Sequence, residues 1–408
     1  MFGVRFAFVP ESSVAALGFL LAGVALGTCS GLVPGLHANN MALLLAAVAP
    51  SLPGPPRLVA GAMLAAGVVH TFLDTVPALA LGVPDPAMAA AALPGHRLVL
   101  QGRGREALRL SALGSGLAVV FAVPLAVPIT AAMTRAYPTI DAHLSVVLVG
   151  VALLLVLTEP TLGGKLAGAI ASGLAGGLGL ATLDLPISAP LPGSVLTPLF
   201  AGLFGAPVLL DAMRGAGVPE QDDTAIALAP RVVSALAGLG ALAGAAVGYL
   251  PGVSSAVAAT LALVATPGRY GARGFVVATS GVDTANTIFA LFALVALGTP
   301  RTGVLVAVDS LDAPLDLPFL LGSVAVAAVA GLLLVVGLGD RYLTVVGNLP
   351  PRGLSVSILL GLAGLSWLFA GTLGVGVYLL ATLVGLVPVR LGCQRAHLMG
   401  VLLWPLAL

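Results

Sequence analysis

Apolar residues recur along this chain in long runs, with most of the charge in the gaps between them. The runs cover residues 13–33, 57–80, 106–133, 144–158, 161–183, 194–213, 229–250, 272–298, 318–338, 354–370, 372–389 and 393–407. Many approach the roughly 20 residues that a helix needs to cross about 30 Å of hydrocarbon, which predicts about ten to twelve spans. No stretch alternates with a period of two, as a barrel strand does. Inside a bilayer every backbone donor and acceptor must be satisfied, so the predicted fold is all-α and polytopic. The 30 prolines and 53 glycines fall largely within or at the ends of these runs, which predicts broken or re-entrant helices.

One pattern occurs twice. GLVPGLHANNMALLLAAVAP, from Gly31 to Pro50, aligns without gaps to GYLPGVSSAVAATLALVATP, from Gly248 to Pro267, sharing Gly, Pro, Gly, Ala, Leu and Pro. A second match follows in the same order: Gly67 to Pro84 resembles Gly281 to Pro300, with gaps. The chain therefore divides into a first membrane repeat with connecting helices, 1–215, and a second repeat with C-terminal helices, 216–408. The loop after the second motif carries Arg97, Arg103, Arg105 and Arg109 in the first half; in the second it carries Arg301 beside Asp309, Asp312 and Asp316. Arginine-rich short loops stay in the cytoplasm, so equivalent loops are expected on opposite faces, as in an inverted repeat. Inverted repeats with Gly/Pro-interrupted segments at matching positions point to a secondary transporter with its site near the midplane.

Composition agrees with membrane residence: 59% of residues are apolar and 8% charged, and mean hydropathy is +1.12. The net charge of +1, with no basic stripe, speaks against a nucleic-acid partner. Cys29 and Cys393 stand in no metal-binding or redox spacing. The first apolar run lacks a small-residue cleavage pattern and reads as a retained helix, and the expected location is the cytoplasmic (inner) membrane, multi-pass.

Two kinds of position are candidates for chemistry. Pro34-Gly35 and Pro251-Gly252 each interrupt an apolar run and precede small polar residues: His37, Asn39 and Asn40 in one copy, Ser254 and Ser255 in the other. A helix restarting there offers free N–H groups to a carboxylate, and these nine residues form the expected substrate site. The alternative is a simple kink whose polar side chains restore hydrogen bonding. Asp74 and Asp283 lie deep in apolar runs, where a charge is costly unless paired, hydrated or functional. With His70, Thr71 and Thr75 beside the first, and Thr284, Asn286 and Thr287 beside the second, they are candidate ligands of a coupling sodium ion or proton. Either aspartate could instead cap a helix at an interface. Asp141, Glu159, Lys165, Asp184, Glu220, Asp222, Asp223, His96, His143 and His397 fall at or near short connections and read as solvated loop residues without a role. No GxSxG, HExxH, Walker A or aspartyl-protease motif is present, so no enzymatic constellation, cofactor or ATP drive is expected.

With these motifs laid out, the chain resembles the large membrane subunit of tripartite tricarboxylate transporters, particularly its shorter archaeal relatives. The resemblance rests on the Gly31 to Pro50 motif, on LPGHRLVLQGRGREALRLSALGS (Leu93 to Ser115), on YLPGVSSAVAA and on TANTIFALFALVALGTPRTGVL, and covers roughly residues 20 to 310. It implies uptake of organic anions of the di- or tricarboxylate kind, driven by an ion gradient. It also implies a small membrane subunit and an extracytoplasmic binding protein as partners. Two departures concern the substrate: Leu36 is followed by His37 where the family has glycine, and Asp283, Thr284, Ala285 and Asn286 replace a Glu and paired Asn. A second reading is a translocase of a polyprenyl-type lipid phosphate, since Pro-Gly re-entrant segments suit a phosphate head group equally.

Overall fold

A computed structural model describes residues 10–34, 36, 41, 45, 54–82, 92–213, 217–250, 255, 257–258, 262 and 270–408. They form α1 (Pro10–Leu32), α2 (Pro56–Leu73), α3 (Thr75–Leu81), α4 (Ala92–Leu100), α5 (Gly104–Ala142), α6 (Leu144–Leu157), α7 (Leu162–Thr182) and α8 (Leu196–Phe200). A π-helical turn, Ala201–Gly205, leads into α9 (Ala206–Ala212) and then α10 (Pro230–Tyr249), α11 (Gly271–Leu297), α12 (Gly303–Asp309), α13 (Leu317–Gly347) and α14 (Pro351–Leu391). A 3₁₀ turn, Arg395–Met399, and α15 (Gly400–Ala407) close the chain. No strand occurs among the described residues.

Eight of these helices are long and apolar enough to cross a membrane, and Leu144–Leu157 and Leu196–Ala212 are shorter apolar helices. The chain is an all-α polytopic membrane protein. Large apolar side chains on the outer helices stand exposed, among them Val146, Leu162 and Leu360. In a bilayer that surface faces lipid, so its exposure carries no penalty.

One expected span is absent and one expected division is sharpened. The run 393–407 is not a span, because α15 has only 8 residues, about 12 Å of helix. The runs 354–370 and 372–389 are two arms of α14, joined at Gly371 with φ 65° and ψ −159°. Tyr378 Oη lies 3.4 Å from the Leu359 carbonyl, whereas the 19 intervening steps of a straight helix would separate them by roughly 28 Å. The arms therefore fold back as a helical hairpin. Only glycine fits the turn, since a methyl group on it would stand 2.2 Å from the Ser188 carbonyl oxygen.

The duplication seen in sequence appears as packing. Gly23, Gly27 and Gly31 line one face of α1, and a methyl group on each would lie 2.2 Å from Ala62 O, 2.3 Å from Ala66 O and 2.8 Å from Leu73 Cβ. Gly240, Gly244 and Gly248 line α10, with corresponding distances of 2.4 Å to Ala278 O, 2.8 Å to Val282 O and 2.6 Å to Phe289 Cβ. Small residues every fourth position let two helix backbones approach closely, the usual basis of tight packing in lipid. Each repeat thus opens with a close pair, α1 on α2 and α10 on α11. The third long helix crosses over: α5 packs on α10 and α11, while α13 packs on α2.

The two central helices run antiparallel. Thr71 meets Thr284, and Gly95 sits against both Leu79 and Val276, so the end of α3 lies beside the beginning of α11. Equivalent helices running in opposite directions are the geometry of an inverted repeat. They also form the interior: in the most apolar 18-residue stretch of each span, 100% of residues are buried within Pro56–Leu81 and 78% within Gly271–Leu297, against 28–44% for α1, α5, α7, α13 and α14. A second apolar cluster joins α6–α9 to the C-terminal residues, with Phe204, Leu203, Ala381 and Val401 at its centre.

Candidate functional site

The innermost span contains a pause dictated by sequence. Pro77 has no N–H to give to the Leu73 carbonyl, and its ring crowds the preceding turn. α2 ends at Leu73, Asp74 stands at the junction, and α3 restarts at Thr75. Asp74 N still donates to His70 O at 2.9 Å, and Ala78 N to Asp74 O at 3.3 Å, so the chain continues to Leu81 in the same direction.

Polar side chains gather around this pause and the facing stretch of α11. Asp74 and Asp283 are 5% and 4% exposed, and His70, Thr71, Thr75, Thr284 and Thr287 are buried with them. The hydroxyls of Thr71 and Thr284 are 3.3 Å apart. The Ser30 hydroxyl lies 2.9 Å from His70 Nδ1 and 2.9 Å from Met41 Sδ. Asn286 donates from Nδ2 to Ser255 Oγ at 3.3 Å. Two further buried oxygens, Thr75 Oγ1 and Asn286 Oδ1, have no hydrogen-bond partner among the described residues. A buried polar atom left unmatched costs free energy, about 1–3 kcal/mol, unless a ligand or water meets it. Hydroxyl, amide and carboxylate oxygens are the hard donors that a small hard cation prefers.

The structure reaches the Pro-Gly segments from one side. α1 stops at Leu32 and turns through Val33 and half-buried Pro34, and α10 stops at Tyr249 with Leu250 extended at φ −93° and ψ 118°. An extended residue before proline is the steric expectation. Both helices therefore end ahead of the Pro-Gly pair instead of bending through it. Of the remaining expected substrate residues, Ser255 is buried, while Gly35, His37, Asn39, Asn40, Pro251, Gly252 and Ser254 lie outside the described residues.

The register of the repeats differs from the gapped alignment. The glycine contacts put Ala62 opposite Ala278, Ala66 opposite Val282 and His70 opposite Asn286. Gly82 and Gly298, with φ of 67° and 65°, cap the two helices at matching positions. No gap is needed. His70 and Asn286 are thus counterparts, and each hydrogen-bonds a serine at a repeat's Pro-Gly segment. Asp74 and Asp283 are not counterparts: Asp283 falls where the first repeat has Gly67, and Asp74 where the second has Ala290. The acidic groups break the symmetry of the site.

Sequence reasoning missed several residues. Ser30 is one, and its signal was its place beside Gly31 at the end of the glycine stripe. Glu106 is another: it is fully buried and accepts from Arg273 at 2.7 and 3.2 Å, Arg103 at 2.6 Å and Ala227 N at 2.9 Å. Around it, Arg105 pairs with Asp340 and Arg109 with Asp223, and Gln221 accepts from Gly104 N. The segment 217–229 is thereby strapped across the starts of α5 and α11. Glu159 and His397 are not solvated loop residues. Both are buried, with His397 Nε2 2.9 Å from Glu159 Oε1, which also accepts from Gln394 N at 2.7 Å. The C-terminal turn folds over the α6–α7 connection, and Gly168 leaves room for the imidazole.

Comparison with known proteins places this geometry in context. The model of the tripartite tricarboxylate transporter TctA family matches residues 17–400. The chain is also similar to an uncharacterized protein of Methanocaldococcus jannaschii, at 25% identity over 404 residues, covering 95% of this chain and 97% of the relative. No solved structure matches it.

Proposed function

This chain belongs to the tripartite tricarboxylate transporter TctA family, and on that premise we propose that it moves an organic carboxylate across the cytoplasmic membrane by alternating access, coupled to sodium ions or protons. The family is one of transporters that work as part of a tripartite system. A membrane subunit and a binding protein are accordingly the partners to look for.

The observation that carries the reading is the junction of α2–α3 with α11: two antiparallel, deeply buried helices from opposite repeats that put Thr71 against Thr284 and hold Asp74 and Asp283 out of water. In this reading Asp74, Thr75, Asp283, Thr284, Asn286 and Thr287 supply the coupling ion's ligands. His70 links that site to the first Pro-Gly segment through Ser30, as Asn286 links it to the second through Ser255. The anion binds where the helices restart after Pro34-Gly35 and Pro251-Gly252, taking up N–H groups at the positive ends of the helix dipoles. Cation and anion then share one site at the crossing of the repeats, and each favours binding of the other.

The deciding experiment is thermal stabilisation of the detergent-purified protein by mono-, di- and tricarboxylates, with and without sodium and across pH, in wild type and Asp283→Asn. A ligand that binds the folded state raises its apparent stability. A shift for one acid that requires the cation, and that Asp283→Asn loses, is expected. No shift for any acid under any cation, alongside a shift from isoprenoid phosphates, would transfer the site to a lipid phosphate.

A further inference from the structure

Away from the crossing of the repeats, a cavity of about 560 Å³ opens where α4, α9, the end of α13 and the start of α14 converge. Its polar lining consists mainly of His96, Asp211 and Arg395, and its walls include Leu209, Leu354 and Ile358. A neighbouring cavity of about 360 Å³ shares Asp211 and adds Arg352 and Arg390 beside Leu386 and Val389. Asp211 thus lines both cavities, with Arg395 in the first and Arg352 and Arg390 in the second. Among the described residues none of these four makes an ion pair. Arg395 Nη1 is buried there without a hydrogen-bond partner. A buried guanidinium N–H left unmatched is costly, and a phosphate, with several acceptor oxygens, is the group whose geometry the guanidinium fork matches.

The surroundings narrow the ligand further. α9 ends at Ala212, α13 at Gly347 and α14 at Leu391, while α14 begins at Pro351, so these cavities lie where several apolar helices terminate. That level in a bilayer is the head-group layer. His96 adjoins the segment bearing Arg97, Arg103, Arg105 and Arg109, which marks the cytoplasmic face, where anionic lipids concentrate. Apolar walls around a cationic centre suit an acyl chain below a phosphate and are wasted on a small, highly charged soluble acid.

We infer that this corner is a binding site for an anionic phospholipid, its phosphate held by Arg395 with Arg352 and Arg390 at the lip and its acyl chains lying along α9 and the α14 hairpin. Asp211 keeps the arginines spread about the head group. The lipid ties the C-terminal hairpin to the repeat core. This site is separate from the Asp74 and Asp283 crossing and does not depend on the transported substrate.

The test is the thermal midpoint of the full chain in an uncharged detergent, with phosphatidylglycerol, phosphatidylcholine, inorganic phosphate or citrate added in turn. Phosphatidylglycerol is expected to raise the midpoint by several degrees and phosphatidylcholine to leave it nearly unchanged. That difference should fall by more than half in Arg395→Gln and, should that variant fold poorly, in the surface double variant Arg352→Gln/Arg390→Gln, while Asp283→Asn keeps it. Equal shifts from both lipids, or a phosphatidylglycerol shift unchanged in the double variant, would overturn the assignment. So would a shift from inorganic phosphate or citrate that the same arginine variants abolish, because the pocket would then hold a soluble anion.

Discussion

The hydroxyls of Thr71 and Thr284, separated by just over half the chain, stand 3.3 Å apart where the central helices of the two repeats cross. Thr71 sits about one turn before Asp74, and Thr284 directly follows Asp283. Thr71→Val and Thr284→Val are expected to lower the apparent affinity for the coupling ion less than either aspartate substitution. A double-mutant cycle on that affinity should return a coupling of about 1 kcal/mol, the net worth of one hydrogen bond. Additive effects would mean that the two hydroxyls act separately.

Glu106 makes a different kind of contact. Removing its charge with Glu106→Gln leaves Arg273 and Arg103 facing a buried neutral group, and breaking a buried pair from one side typically costs about 3–5 kcal/mol. The expected result is a large fall in thermal midpoint. Proteolysis within 217–229 should also become faster, because Ala227 N and the strap lose their anchor. A midpoint within a degree of wild type would show that the network adds nothing to stability.

The glycine stripes predict matched sensitivity in the two halves. Gly27→Val and Gly244→Val each force a side chain into backbone of the paired helix and are expected to lower stability by at least the 1–3 kcal/mol typical of overpacking. Gly18, which has open space around it, should accept valine with little change. Expression and midpoint measured side by side check this. Tolerance of one stripe and not the other would argue against equivalent pairs.

His96 gives a pH prediction. Burial lowers its pKa below the usual histidine value, outweighing the upward effect of its hydrogen bond to the Leu79 carbonyl. A carbonyl only accepts, so Nδ1 carries the proton toward Leu79 at 2.7 Å. Because the unfolded chain binds the second proton more readily, the stability from neutral His96 is fully present above its unfolded pKa, about 6.5. It is lost as pH falls below that value toward the lower folded pKa. His96→Asn, which keeps a donor and does not titrate there, should lose less thermal midpoint than wild type between pH 7.5 and about 5. Parallel losses would rule out this contribution.

Much of this architecture is legible in the chain itself. Run length and the absence of charge determine that it is a bundle of membrane helices, because hydrocarbon admits little else. The Pro-Gly pairs determine where α1 and α10 stop, since a proline constrains both itself and its predecessor. The duplicated motif announced two related halves, and even Gly371 lay at the expected division between two spans.

Tertiary structure decided the rest. That His70 pairs in register with Asn286, and that Asp74 has no acidic counterpart, follows from how closely α1 and α10 settle on their partners. A low-complexity Ala/Leu/Gly sequence does not encode that distance unambiguously. Glu159 and His397 looked solvated because a short connection between apolar runs is ordinarily wet, and Glu106, at the edge of a run beside an arginine-rich loop, drew no notice. They are buried because the C-terminal turn and the 217–229 strap fold over them from far along the chain. Which loop covers which charge depends on long-range packing, and hydropathy reports only what each segment would prefer alone.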